Sequence, residues 1–515
     1  MLLCTHKRLF STVLYLLLVT LCLSVFTSCK WYIGNPHESD SSSENELSEQ
    51  TDAIANAIAV ALETATENGV LDDEGNPADV SRLVTLVETY GYDSVKLAWL
   101  DALYEYYFIG EYKTFVSLAN DIVTFLVKYV DAEAVTSRDE VTDVLVYAYA
   151  HCVGDKYFAY YTKENFSDYE EDVNATYTGI GVQVLRLDSG YLEIVKVYAN
   201  TPALEIGIVE GDLLIKIEGE DISSLSLNEA TALVRGEEGT YVNITVLRDG
   251  EMLDFCVMRK RMTEYTVDFK MLDNGGDKVG YISISEFDDG TFPQFVEAYQ
   301  TLIAEGATAF VLDVRTNPGG AVLSVSAILE YILPDGVIAT MNYKHAMYDY
   351  TVSSVFDAMS EGSEKYAEYR AIYDAIAEEE GAGDHVIREP IAVLTNEYTI
   401  SAAELFSSAI RDYANDGKMN ARLFGVKTYG KGTGMTPLPL VGTLEDGTTS
   451  YDGSYINMST FTYDPPNGVN YEGVGVYPHE TVTLPDEVAN KSLLKLTLEE
   501  DTQLQAALVY LKNAE

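Results

Sequence analysis

The stretch from Ile391 to Tyr429 constrains the fold most tightly, because the hydrophobic period changes inside it. Ile391 to Leu394 is an unbroken apolar run with the length and branching of a buried strand, and Asn396 with Glu397 then supplies a turn. Beyond the turn, Ile400, Leu405, Ala409 and Ile410 keep an approximately helical spacing, so Ser401 falls where a strand and turn feed a helix.

Ser401-Ala402-Ala403-Glu404 has the form of a capping box, in which hydroxyl and carboxylate satisfy each other's backbone donors at a helix start. That structural role alone would account for both residues. The same position also suits chemistry, because the N–H of Ala402 can point at the oxyanion formed when Ser401 attacks a carbonyl. A serine hydroxyl attacks well only when something takes its proton. No histidine lies close in sequence, and candidate bases include Lys431, within Tyr429-Gly430-Lys431-Gly432-Thr433-Gly434. A lysine acts as a base only when neutral, which requires a partly buried site. Flanking glycines let backbone approach closely, but they fit equally a bend beside an exposed lysine.

Thr399-Ile400-Ser401-Ala402-Ala403-Glu404 resembles the S-A-S-A-S-E pattern of the C-terminal processing, or tail-specific, serine peptidases, which use a Ser-Lys dyad. Gly430 to Met435 resembles their G-K-G-x-x-Q pattern, and Leu312 to Gly320 resembles their L-D-L-R-x-N-P-G-G signature. The resemblance implies that Ser401 is the nucleophile and Lys431 the general base. It also implies an oxyanion hole formed by Ala402 with Gly319 or Gly320. Met435 stands where the family often has Gln, which leaves the third member of the site unassigned. Gly473 to Pro478 is similar to the family's G-x-G-I-x-P-D region, with His479 in place of the aspartate. Arg315 and Asp313 read as a structural ion pair, since arginine stays protonated.

From Tyr177 to about Arg261, short β-rich runs alternate with turns, and the segment resembles a PDZ domain inserted in these peptidases. Gly179-Ile180-Gly181 matches the loop whose N–H groups capture a terminal carboxylate, while the edge of the following strand pairs with an extended peptide. Leu227 to Val234 matches the helix bordering the groove. A small β-domain used only for packing would carry the same glycines and valines.

The 47% hydrophobic content of the 515 residues suits a folded chain, and a formal charge of −49 argues against a general nucleic-acid surface. His6-Lys7-Arg8 precede the apolar run Leu9 to Phe26, as in an export signal. Phe26-Thr27-Ser28-Cys29 resembles a bacterial lipobox, which makes Cys29 the expected lipidation site and the protein an exported one anchored at an extracytoplasmic membrane surface. Cys152 and Cys256, each in a largely apolar segment, read as two buried thiols. His345 and His385 form no metal-binding motif, and the peptidase resemblance implies no cofactor.

The expected architecture is multidomain α+β. It comprises a signal peptide at 1–28, an acidic Ser-rich tether at 29–50, a helical region at 51–170 whose tyrosines keep their hydroxyls near solvent, and the PDZ-like domain at 171–262. A peptidase core follows at 263–490, with 343–385 as a candidate inserted lid containing a surface helix from Glu364 to Glu380, and a C-terminal helix at 491–515. By resemblance that core is crotonase/ClpP-like α/β. The expected activity is hydrolysis of exported proteins or peptides with accessible C-termini. The competing readings are a catalytically weak peptide-binding or scaffolding protein and a serine esterase.

Overall fold

A computed structural model describes residues 41–514, apart from 132–133, 164–175, 188, 199, 264, 360–362, 381–386, 445–446 and 489–490. Cys29, the signal segment and His385 lie outside the described residues. The chain divides into two compact units, one drawn from Met1–Phe166 with Met435–Thr460 and the other from Ser167–Gly434 with Phe461–Glu515.

The first unit contains the helices Ser41–Asn68, Val80–Tyr90, Ser94–Tyr107, Phe115–Tyr129 and Arg138–Val153. Four of them start on a side chain that accepts a first-turn N–H, from Asp79, Asp93, Thr114 and Ser137. The first helix begins at Ser41, inside the stretch expected to be a tether. Serines followed by acidic residues in the opening turns favour a helix start there. Apolar residues such as Ile54, Leu97, Ile122 and Leu145 close the core. Residues 435–460, assigned from sequence to the 263–490 segment, cluster with these helices instead. Leu438 and Leu440, and likewise Ile456 and Met458, are spaced by two on their strands and so face the same core. Tyr104 and Tyr149 correct the expectation of hydroxyls near solvent. Both are fully buried, and their phenols donate to Asp155 at 3.4 Å and Asp101 at 2.6 Å, carboxylates that take the place of water.

In the second unit, one sheet runs in the order Val267–Asn274, Asp277–Ile284, Ala309–Asp313, Ile391–Thr395, Ala421–Gly425 and Glu480–Thr481. Its first pair is antiparallel and the remaining pairs are parallel. Every residue of Ala309–Asp313 and Ile391–Thr395 is buried, as a parallel strand covered on both faces requires. Phe310 and Leu312 pack into a core with the helices Thr291–Ala304, Val322–Ile332 and Ala402–Asn415. Val311, on the opposite face, meets Leu504 and Leu508 of the helix Thr502–Asn513. The helix Glu364–Glu380 is present as expected, and it is seated by fully buried Tyr369, whose ring lies edge-on to Phe292 at 4.8 Å.

The β-rich insert has a defined neck, because the strands Thr176–Gly179 and Lys260–Thr263 pair antiparallel where the chain enters and leaves. Its sheet runs Val182–Arg186, Leu192–Val197, Leu213–Ile217, Tyr241–Arg248 and Glu251–Met258, so Val182–Arg186 forms an edge. Cys256 is exposed and Cys152 half-buried, which corrects the expectation of two buried thiols. On Glu251–Met258 the buried neighbour is Val257, and strand alternation turns Cys256 the other way. Among the described residues no helix is long and apolar enough to cross a membrane.

His479, which replaces the family's aspartate, joins two elements of the second unit. Its Nδ1 accepts the N–H of Leu423 at 2.9 Å, so Nε2 carries the proton and faces Asn415 Oδ1 at 3.2 Å. Burial, with Arg422 and Arg411 nearby, lowers its pKa from the ordinary 6.5. A depressed folded-state pKa makes this contribution complete above about pH 6.5 and lost as pH falls through the folded value. The melting temperature of the wild type is therefore expected to drop on acidification below that point. H479N, which keeps an acceptor but cannot titrate, should flatten this part of the profile in thermal unfolding scans.

Candidate active site

The turn between the strand Ile391–Thr395 and the helix Ala402–Asn415 is held from several directions. Thr399 Oγ1 donates to the Val314 carbonyl at 2.9 Å, Ile400 N–H donates to the Asn317 carbonyl at 2.9 Å, and Asn396 Oδ1 accepts the Thr316 N–H at 3.0 Å. Within this frame Ser401 adopts φ 59° and ψ −120°, a backbone conformation that a side chain rarely takes and that costs on the order of 1–3 kcal/mol. The surrounding bonds hold it there.

Gly319 explains why the facing loop carries glycine. Its φ is +110°, and a Cβ there would sit 2.7 Å from Ser401 Cβ and 3.0 Å from Ala402 N. Its N–H donates to Asn317 Oδ1 at 2.8 Å, and its carbonyl accepts the Phe287 N–H at 2.8 Å. Gly320 follows with φ +125°, and a Cβ on it would lie 2.0 Å from the Phe287 carbonyl oxygen. Asn317, fully buried, also donates through Nδ2 to the Ile284 carbonyl at 3.0 Å. Beneath the loop, the expected ion pair is present and extended. Arg315 contacts Asp313 at 2.6 Å and Asp501 at 2.8 Å, both buried, and so ties the strand end to the C-terminal helix.

The predicted capping box is present, and its acid does more than cap. Glu404 is fully buried. Oε2 accepts the N–H of Ser401 at 2.9 Å and the N–H of Lys431 at 2.7 Å, while Oε1 accepts the N–H of Gly430 at 2.7 Å and the Thr428 hydroxyl at 2.5 Å. Burial raises its pKa, and these four donors pull the other way. One carboxylate thus joins the backbone on both sides of the proposed chemistry.

Lys431 is half-buried, and the glycines beside it serve close backbone packing. A Cβ on Gly430 would approach Gly475 N to 3.0 Å, and one on Gly432 would approach Asn470 Oδ1 to 2.2 Å. Gly473 N–H donates to the Gly430 carbonyl at 2.9 Å, and Gly432 N–H donates to Glu472 at 2.8 Å. A residue that sequence reasoning missed completes the site. Tyr463 Oη lies 3.0 Å from Ser401 Oγ and 2.8 Å from the Lys431 carbonyl oxygen. Tyr463 sits 62 positions from Ser401, and no local pattern around it marks a functional residue.

In the insert, Gly179 ends the neck strand, Ile180 is buried in the insert's own core, and Gly181 turns with φ +86° against Thr201. The carbonyls of Ile180 and Gly181 accept the N–H groups of Ala203 and Tyr198, which fixes the loop's backbone just before the edge strand.

Replacing Glu404 with Gln keeps its shape but turns an NH2 donor toward two existing donors. Leaving buried donors unpaired costs about 1–3 kcal/mol each. E404Q should therefore lower the free energy of urea unfolding by at least that amount, and it should reduce hydrolysis of an unfolded protein by about 100-fold through misplacement of the two segments.

Residues 278–482 match peptidase family S41, and residues 178–258 match the PDZ domain. The carboxy-terminal processing protease CtpA of Bacillus subtilis (strain 168) is 28% identical over 353 residues, 68% of this chain and 66% of that protein. The carboxyl-terminal-processing protease of Synechocystis sp. (strain ATCC 27184 / PCC 6803 / Kazusa) is 29% identical over 350 residues, 67% of this chain and 71% of that protein. A probable CtpA-like serine protease of Staphylococcus haemolyticus (strain JCSC1435) is 27% identical over 331 residues, 64% of this chain and 58% of that protein. The match thus spans roughly six- to seven-tenths of these relatives' lengths. Residues 278–482 thus carry a peptidase family S41 domain and residues 178–258 a PDZ domain, and over about two thirds of its length the chain is similar to carboxy-terminal-processing proteases.

Proposed function

We propose that this protein is a serine endopeptidase that hydrolyses exported proteins or peptides through an acyl-enzyme on Ser401, with Lys431 as the general base. The observation that carries this reading is the Glu404 carboxylate, which takes the backbone N–H of the nucleophile and the backbone N–H of the lysine on one oxygen. Neutral Lys431 accepts the hydroxyl proton as Ser401 attacks the carbonyl, and the resulting ammonium protonates the departing amine. Lys431, neutral again once the amine has taken the proton, then activates water for deacylation.

Ala402 N–H, in the first turn of its helix, supplies one oxyanion donor. We assign the second to Gly320 rather than Gly319, because the Gly319 N–H is engaged by Asn317 Oδ1. The core that carries these groups is read as crotonase/ClpP-like, within a segment spanning 263–490.

The domain at 171–262 would present substrates by their C-termini. Its loop Gly179-Ile180-Gly181 receives the carboxylate, and the edge strand Val182–Arg186 takes the extended chain as a further strand. Cys29 would carry lipid that holds the enzyme at an extracytoplasmic membrane surface. No cofactor enters the proposed reaction.

S401A and K431A should each lower casein hydrolysis by about 1,000-fold or more while leaving the melting temperature near that of wild type. Hydrolysis at equal rates by wild type and both variants would overturn the Ser-Lys chemistry, and no hydrolysis by the wild type would leave a binding protein. Turnover of acyl esters without peptide cleavage would make it an esterase. Amidating the C-terminus of a peptide substrate should raise KM with little change in kcat. Expression of C29A should move the protein from the membrane fraction to the soluble one.

A further inference from the structure

Tyr463 places a polar group on the hydroxyl of the proposed nucleophile, and neither the capping box nor the glycine-flanked lysine motif accounts for it. Its ring is 1% exposed, and its strand, Thr449–Asp464, pairs there with Ala339–Tyr343. The neighbouring Tyr471 ring lies edge-on at 6.0 Å.

A phenol has one proton, and the bonds around Oη determine where it goes. The Lys431 carbonyl oxygen, at 2.8 Å, can only accept, so the Tyr463 O–H is directed there. The Ser401 hydroxyl at 3.0 Å must then donate its own proton to Oη. Burial, first among the causes, raises the pKa of Tyr463, so the phenol stays neutral and does not itself remove the serine proton. Its effect is geometric. One oxygen links the serine hydroxyl to the backbone of the lysine residue.

Met435 stands at the position where the family pattern carries Gln, and a thioether is only a weak acceptor. Tyr463 brings a strong hydrogen-bonding group to the dyad from a different strand. We propose that Tyr463 is the third polar member of this site, a positioning residue that fixes the Ser401 hydroxyl relative to Lys431 before proton transfer. The proposal rests on the Ser401–Lys431 reading.

The test compares wild type, Y463F and S401A on casein, with kcat and KM measured separately, alongside the rate at which a small phosphonate reagent modifies Ser401. Y463F should lose about 10- to 100-fold in kcat and in phosphonate modification, with KM within roughly twofold, because misplaced reacting groups slow the chemical step and not substrate capture. Site-specific replacement of Tyr463 by 3-fluorotyrosine serves the case in which Y463F does not fold. It keeps the ring in place and weakens the phenol oxygen as an acceptor, so kcat should fall without a change in KM. Wild-type kcat and modification rates in a folded Y463F or in the fluorinated protein, or a gain in either, would overturn the role of Tyr463 alone. S401A as active as wild type would overturn the dyad, and this proposal with it.

Discussion

The buried carboxylate of Glu404 is the interaction on which the site depends. An ionised acid removed from water is tolerated only where hydrogen bonds replace its hydration, and here both oxygens accept two donors each. The donors come from two places far apart in sequence, the start of the helix Ala402–Asn415 and the segment Thr428 to Lys431. The acid also sits in the first turn of its helix, where the partial positive charge of the unpaired N–H groups favours it. Satisfying one buried charge therefore requires the Ser401 turn and the Lys431 segment to be adjacent, with their backbones in fixed register.

The same economy of contacts governs the facing loop. Ser401 is held in an unfavourable backbone conformation by neighbours that are themselves tied down, and Gly319 lies so close that no side chain fits between them. Arg315 anchors the loop's base to the C-terminal helix through two buried carboxylates. Breaking one member of such a buried set leaves an unpaired charge, which is why these residues form a rigid platform and have no place in proton transfer. Preorganised donors are effective in acyl transfer because they need not reorient as charge develops.

Much of this was legible in the chain. The strand Ile391–Thr395 followed by a helix, the glycine pair after Pro318, the capping pair Ser401 and Glu404, and the Arg315–Asp313 pair are all short-range patterns, and each lies where the local sequence implies. The insert's short strands alternating with turns were equally readable, since strand period and turn chemistry are local properties. Burial of Tyr104 and Tyr149 was not readable, because only the fold reveals that a carboxylate waits beside each phenol. Nor was the outward face of Cys256, which depends on strand register relative to the core.

The sequence by itself determined most of the elements and carried the motifs by which Ser401 and Lys431 are proposed as nucleophile and base, because each is encoded within a few consecutive residues. Tertiary structure alone decided that Glu404 would bind the lysine segment as well as its own helix start. It alone brought Tyr463 onto Ser401 and engaged the Gly319 N–H with Asn317. These are contacts between segments separated by many residues. A hydrogen bond forms only when donor and acceptor are within about 3 Å, a condition that packing of the whole unit sets and no local pattern records.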